Sequence, residues 1–311
     1  MVPEISLQIP VKDGGDDFRI CLDSLRKQDT GKIPWELILV DDDSAVPVED
    51  EYNLSFPDTV SIRVIRRKSS GNRPEARNAG WRESTAPLSF LSDGDIRFPA
   101  NALLKHIEMH RKGLGEVIMG ARINGWMNDS TPWQRWFDTR GMGSTAAGPF
   151  PGKYFVTGNV SLRTSILKET GGFDPAIDRY GGEDTEFGFR LARTGVSLHW
   201  NPDLKVYHLD RVTVREHSRK MVEYGGSGLK YTLNKIPEAK GLLGSRWIEP
   251  VFSKPANPAV MAMKVIVKLS LFPPVYRCAL RWMEKVGKPS FLFTYLSVGG
   301  CLMGLSGRDF E

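Results

Sequence analysis

Cysteine is scarce: three in 311 residues (Cys21, Cys278, Cys301), an odd and scattered set with no CxxC spacing. That excludes a disulfide framework and a zinc site built from cysteine alone. The start, MVPEISLQIPVKDGG, lacks a basic segment and a long apolar core, so no secretory leader is expected and a reducing cytoplasm is the expected compartment. Charge of one sign is also lacking over most of the chain. Of 42 Lys+Arg and 37 Asp+Glu, eight bases and three acids fall in 251–311, which leaves 34 of each in the first 250 residues. A balanced body argues against a nucleic-acid-binding surface, and no nucleic-acid partner is expected. The whole excess of +5 belongs to the tail.

What is present is a strand–helix alternation. Ile5 to Val11 and Trp35 to Val40 read as buried strands, with an amphipathic helix over 16–28 between them. Residues 61–65 predict a third strand, 74–83 a helix with Pro at its first turn, and 87–91 a fourth strand. This pattern implies an α/β fold, a mostly parallel central sheet flanked by helices, with ligands at the carboxyl ends of the strands. Asp41, Asp42 and Asp43 follow the second strand, and Asp93 and Asp95 the fourth. A lone Asp there makes a turn, but two acidic clusters at one sheet edge repel unless a cation or hydrogen-bond donors meet them.

Seven blocks carry a resemblance: IPVKDGG (9–15), ILVDDDS (38–44), EARNAG (75–80), FLSDGD (90–95), VTGNVSLR (156–163), GGFD (171–174) and GGEDTEFGFR (181–190). In this order they resemble the family-2 glycosyltransferases, GT-A-fold enzymes that use nucleotide-diphospho-sugars. The likeness runs from about Ile5 to His208, and the second half is similar to the galactosyltransferase-type region in which GGED precedes a histidine. It implies an inverting, metal-dependent glycosyltransferase that moves a sugar, from UDP by expectation, to a hydroxyl of a lipid-linked or polysaccharide acceptor. The resemblance implies donor binding by Pro10, Val11, Asp42, Arg77, Asp93 and Asp95, with Arg77 on the base or the pyrophosphate. Asp43 stands where the family has Gly. Mn²⁺ or Mg²⁺ is implied at Asp95 and His208, with His199 as rival and Asp210 able to replace or support either. Asp184 is implied as general base, with Glu183 positioning the acceptor, and Gly158 and Asn159 are expected in the sugar and acceptor floor. Gly181 and Gly182 are expected to let substrate approach closely. The alternatives are a sugar-phosphate nucleotidyltransferase, whose Gly-rich opening PVKDGG lacks, and a non-catalytic membrane-bound partner.

Residues 1–100 are read as the nucleotide-sugar half and 101–215 as the acceptor half of one domain, with 216–311 a helical region. The Trp-rich segment 125–150, with Trp126, Trp133 and Trp136, reads either as a lid or as ordinary packing. Residues 224–228 read as a flexible break. In 259–271, Lys264 and Lys268 share a helical face, an amphipathic helix with a basic stripe, and 289–307 is uncharged for 19 residues. Peripheral or monotopic attachment of 251–311 to an anionic membrane surface is expected, ahead of a span; a hairpin packed within the chain or in a homo-oligomer is the further option.

Overall fold

The computed structural model describes residues 2–68, 71–126, 131–143, 145–249 and 257–311. Its first strands and helices are β1 (Ile5–Val11), α1 (Gly15–Arg26), β2 (Trp35–Asp42), α2 (Val48–Glu51), β3 (Val60–Arg67), α3 (Arg73–Arg82) and β4 (Leu88–Leu91). Then come β5 (Ile96–Arg97), α4 (Ala102–Arg111), β6 (Val117–Asn124), α5 (Pro132–Asp138), β7 (Gly148–Pro149), β8 (Val160–Arg163) and α6 (Thr164–Thr170). α7 (Glu183–Thr194) and β9 (Leu198–His208) complete the sheet-forming part. The remaining helices are α8 (Val214–Tyr224), α9 (Lys230–Lys235), α10 (Ala239–Leu242), α11 (Pro258–Ser270), α12 (Pro273–Val286) and α13 (Phe291–Leu305). The chain forms two compact units: Met1–Asp129, Asp138–Asp178 and Glu183–Asp210; and Ser130–Phe137, Arg179–Gly182 and Arg211–Glu311.

The first unit is built on a nine-stranded sheet in the order β3-β2-β1-β4-β8-β6-β9-β5, with β7 on β9. β1 is buried almost throughout, because helices cover both faces of a central parallel strand. Phe18, Leu22 and Leu25 of α1 pack against it in one core cluster. β3 alternates between exposed and half-buried, as an edge strand does. The β3-β2-β1-β4 half is parallel, whereas β8 runs antiparallel to β4 and β6, so the sheet is mixed beyond the fourth strand. Strands from 1–100 and from 101–215 share this sheet. Val11 lies opposite Asp41, so the carboxyl ends of β1 and β2 open on one edge, and β4 on the other side of β1 runs the same way.

The second unit is helical, around Trp133, Tyr276, Leu280, Phe293, Leu296 and Met303. A capping box of Thr213 and Glu216 starts α8. The expected break at 224–228 is instead a π-helical turn, Gly225–Leu229, that carries α8 into α9. Its glycines serve close packing: a Cβ on Gly225 would lie 2.0 Å from the Cys301 carbonyl, and one on Gly304 of α13 1.9 Å from that of Val222. The uncharged run 289–307 is thus a packed element, and among the described residues no single helix is long and apolar enough to cross a membrane.

Candidate active site

The loop after β2 is bolted by Asp41, which is fully buried. It accepts from Ser44 N (2.9 Å) and Val48 N (3.2 Å) and pairs with Arg66 (2.7 Å). Asp43 takes a left-handed φ of +68°, so an Asp fills a conformation that favours glycine. Asp42 is held by Arg67 (2.8 Å), whose other nitrogen binds Glu75 (2.6 Å). Val11 buries its side chain in the core and ends the β1–β2 ladder opposite Asp41; Pro10 lines a shallow cleft with Gln8, Val40, Ala76, Arg77 and Gly80.

Asp93 is the hinge of the site. Its Oδ1 accepts from Arg77 Nη2 at 2.7 Å, and Arg122 Nη1 of β6 lies 3.5 Å from Oδ2. Burial works to raise the Asp93 pKa, but Arg77 and Arg122 outweigh it and bring the carboxyl down to about 2. Burial likewise opposes the charge on Arg77, and Asp93, Asp184 and Glu183 together overcome it, so one guanidinium sits in the field of three carboxylates. Nη2 of Arg77 is taken by Asp93 and Nη1 lies 3.4 Å from the Ser92 carbonyl, while its Nε is buried without a hydrogen-bond partner among the described residues. Gly158, at φ +101°, lies against this group: a Cβ there would come within 2.7 Å of Arg122 Cδ and 3.0 Å of Asp93 Oδ2.

Glu183 and Asp184 open α7. Oδ2 of Asp184 accepts from the backbone N–H (3.0 Å) and hydroxyl (3.1 Å) of Thr157. Its Oδ1, and Oε2 of Glu183, are buried without a hydrogen-bond partner among the described residues. Burial, and then the charge of Asp184, pushes Glu183 up to about 7. Burial also pushes Asp184 up, against the pull of Arg77 and the Thr157 amide. Two carboxyls lifted toward neutrality, each with an oxygen free of hydrogen bonds among the described residues, have the chemistry a proton-accepting pair needs. Gly181 and Gly182 take φ of +79° and +101°, and the backbone of Gly228 comes within 2.7 Å of where a Cβ on Gly182 would sit.

Asp95 and His208 come together because β5 pairs with β9, Ile96 opposite His208. His208 Nε2 is 3.2 Å from Asp95 Oδ2, and with Asp210 the ligand atoms lie within 4.8 Å of one another. Asp95 Oδ1 is buried and lacks a hydrogen-bond partner among the described residues. Two carboxylates and an imidazole fit a divalent cation, Mn²⁺ better than Mg²⁺. His199 lies opposite Ile118 and His208 opposite Asn124, six positions along β6 or roughly 20 Å at the strand rise, which removes His199 from this group.

Asn159 requires a correction. Its amide donates to the carbonyls of Ala121 (2.9 Å) and Leu204 (2.7 Å), and its Oδ1 meets His106 Nε2 at 3.0 Å. It is buried and faces the core, supporting Gly158 from beneath rather than forming an acceptor floor. His106 also meets Ser161 (2.7 Å), as does His110 (2.8 Å), and burial, with His110 next, pushes His106 down to about 3. Trp133, stacked on Trp136 and packed on Phe293, belongs to the helical core and not to a lid; Trp126 donates to the Leu209 carbonyl at 2.7 Å. Residues 127–130 and 144 of the expected lid lie outside the described residues. Sequence reasoning missed Arg122 and Thr157. Thr157 had a signal in its place within the TGN block, whereas nothing local marks Arg122 in β6.

The model of glycosyl transferase family 2 matches residues 6–171, and that of glycosyl transferase family group 2 matches 93–298. The pre-mycofactocin glycosyltransferase of Mycobacterium tuberculosis is 26% identical over 231 residues, 72% of this chain and 46% of that one. The validoxylamine A glucosyltransferase of Streptomyces hygroscopicus is 26% identical over 225 residues, 63% of this chain and 53% of that one. The chain thus spans about half the length of these relatives. The mannosyltransferase of Pyrobaculum calidifontis, solved with GDP-Man and Mn²⁺, superposes with a TM-score of 0.58 at 15% identity, over 99% of this chain and 89% of that one. TarS of S. aureus, solved with UDP-GlcNAc, gives 0.55 at 14% identity, over 99% and 93%. At such identity these two show the fold, which is GT-A. With the family 2 model matching more than half its length, the chain belongs to glycosyl transferase family 2.

Proposed function

We propose that the protein transfers a sugar, with inversion, from a nucleotide-diphospho-sugar to a hydroxyl of a polysaccharide or lipid-linked glycan. The observation that carries this is Asp184, with one oxygen held by Thr157 and the other buried and unpaired. In the step, Asp184 takes the proton of the acceptor hydroxyl. The acceptor oxygen forms the new bond to the anomeric carbon while the bond from that carbon to the diphosphate breaks, and the nucleoside diphosphate leaves with the electron pair. Glu183 positions the acceptor, and Asp93, clamped between Arg77 and Arg122, faces the donor sugar. Asp95 and His208, with Asp210, would hold Mn²⁺ or Mg²⁺, which would offset the charge of the departing diphosphate. Pro10, the Val11 backbone and Asp42 border the nucleotide, which we assign as uridine. The nucleotide-sugars in the solved relatives, UDP-GlcNAc and GDP-Man, support this donor class.

The test is product formation from labelled nucleotide-sugars with Asp184→Asn and Asp95→Ala. Loss of a positioned base lowers the rate by about 10²–10⁴-fold, and near-normal turnover in both variants overturns the assignment.

A further inference from the structure

α11 is folded with one of its two lysines inward. Lys264 is its one buried residue, 7% exposed and paired with Glu249 at 3.5 Å. Met263, Ile266 and Leu269, spaced by three, point to solvent with Val265 beside them; Ile266 is 58% and Leu269 66% exposed. A soluble amphipathic helix has the reverse arrangement. The expected basic stripe of Lys264 and Lys268 is therefore not what this helix presents. The apolar strip continues through Phe272 at the 71° bend and along α12, where Val275 and Trp282 are exposed. Along its margin stand Lys268, Arg277, Arg281, Lys285 and Lys288, none with an ion pair among the described residues. The acid among them, Glu284, is bound by Arg215 at 2.7 and 2.8 Å.

We propose that this bent pair docks on an anionic lipid surface, its apolar strip entering the headgroup region and its cations meeting lipid phosphates. α11 has 13 residues and α12 has 14, each roughly 20 Å of helix and short of the ~30 Å of a bilayer core, and the 71° bend keeps the two from forming one straight span, so the pair lies in the surface. A second copy on the same patch is disfavoured, because a two-fold contact would bring the two cationic margins together.

The test is flotation of the full chain with vesicles of phosphatidylcholine alone or mixed equally with phosphatidylglycerol. Binding to the anionic vesicles is expected, weakening as salt is added. Ile266→Asp with Leu269→Asp lowers it by at least roughly tenfold. Arg281→Gln with Lys285→Gln lowers it by about fivefold per cation, on anionic vesicles only. All four side chains are exposed, so melting curves of the variants should match the parent's. Unaltered flotation in the apolar variant, or a dimer in chromatography that Ile266→Asp dissolves without any vesicle binding, overturns the proposal.

Discussion

At the residue scale, the candidate site is a balance of buried charge. Glu183, raised to about 7 by burial first and Asp184 second, keeps its proton in the folded state over an interval where the unfolded chain, at 4.5, has lost it. Its contribution to stability is therefore complete below 4.5 and is lost as the pH climbs to about 7. Calorimetry should find Glu183→Gln melting higher than the parent at about pH 8, the gain shrinking to nothing as the pH falls toward 4.5. Arg122 makes a second claim at this scale. Arg122→Met leaves Asp93 held by Arg77 alone, and donor KM should rise ~10-fold in steady-state assays, with Arg122→Lys recovering part of the loss because it keeps charge without the fork.

At the element scale, glycine marks where backbones touch. In an exposed helix Gly→Ala gains about 1 kcal/mol. At Gly304 the sign reverses, because the added Cβ meets the Val222 carbonyl at 1.9 Å and backbone cannot swing aside. Gly304→Ala should lose about 1–3 kcal/mol in urea unfolding by overpacking. The contrast between α3 and the 224–228 segment shows what local pattern conveys. Pro74 and the cap by Asn72, which accepts from Glu75 N, are local signals, and the helix is found within a residue of its predicted ends. Three glycines in four residues are a local signal for a break, yet the helix persists because α13 packs against Gly225 and Gly226, and Gly181 and Gly182 against Gly228.

At the scale of the whole molecule, ligands should report on the site through global stability. Excess Mn²⁺ should raise the melting temperature by mass action, about 2.7 kcal/mol at a hundredfold excess over Kd. Asp95→Ala should abolish the gain, and chelation should abolish transfer. A panel of UDP- and GDP-sugars with Mn²⁺ should show which donor adds a further shift; no response to any of them would count against the donor class.

The strands of the parallel half, the helices between them and the acids at their carboxyl ends were legible in the sequence alone. Apolar periodicity and turn chemistry are local, and in a parallel sheet strand ends become site positions. Which of those acids meets which partner was legible only through the family resemblance, which named Asp95 with His208; the β5–β9 pairing is what brings the two together. Arg122 enters the site from a strand with no motif of its own. Asn159 lies in a site block yet turns inward, since its amide is needed by two backbone carbonyls. Lys264 and its apolar neighbours carry the same periodicity whichever face is buried. Only the packing of the second unit decides that the lysine goes in and the leucine and isoleucine go out, because a helix repeats its pattern without saying which side meets the core.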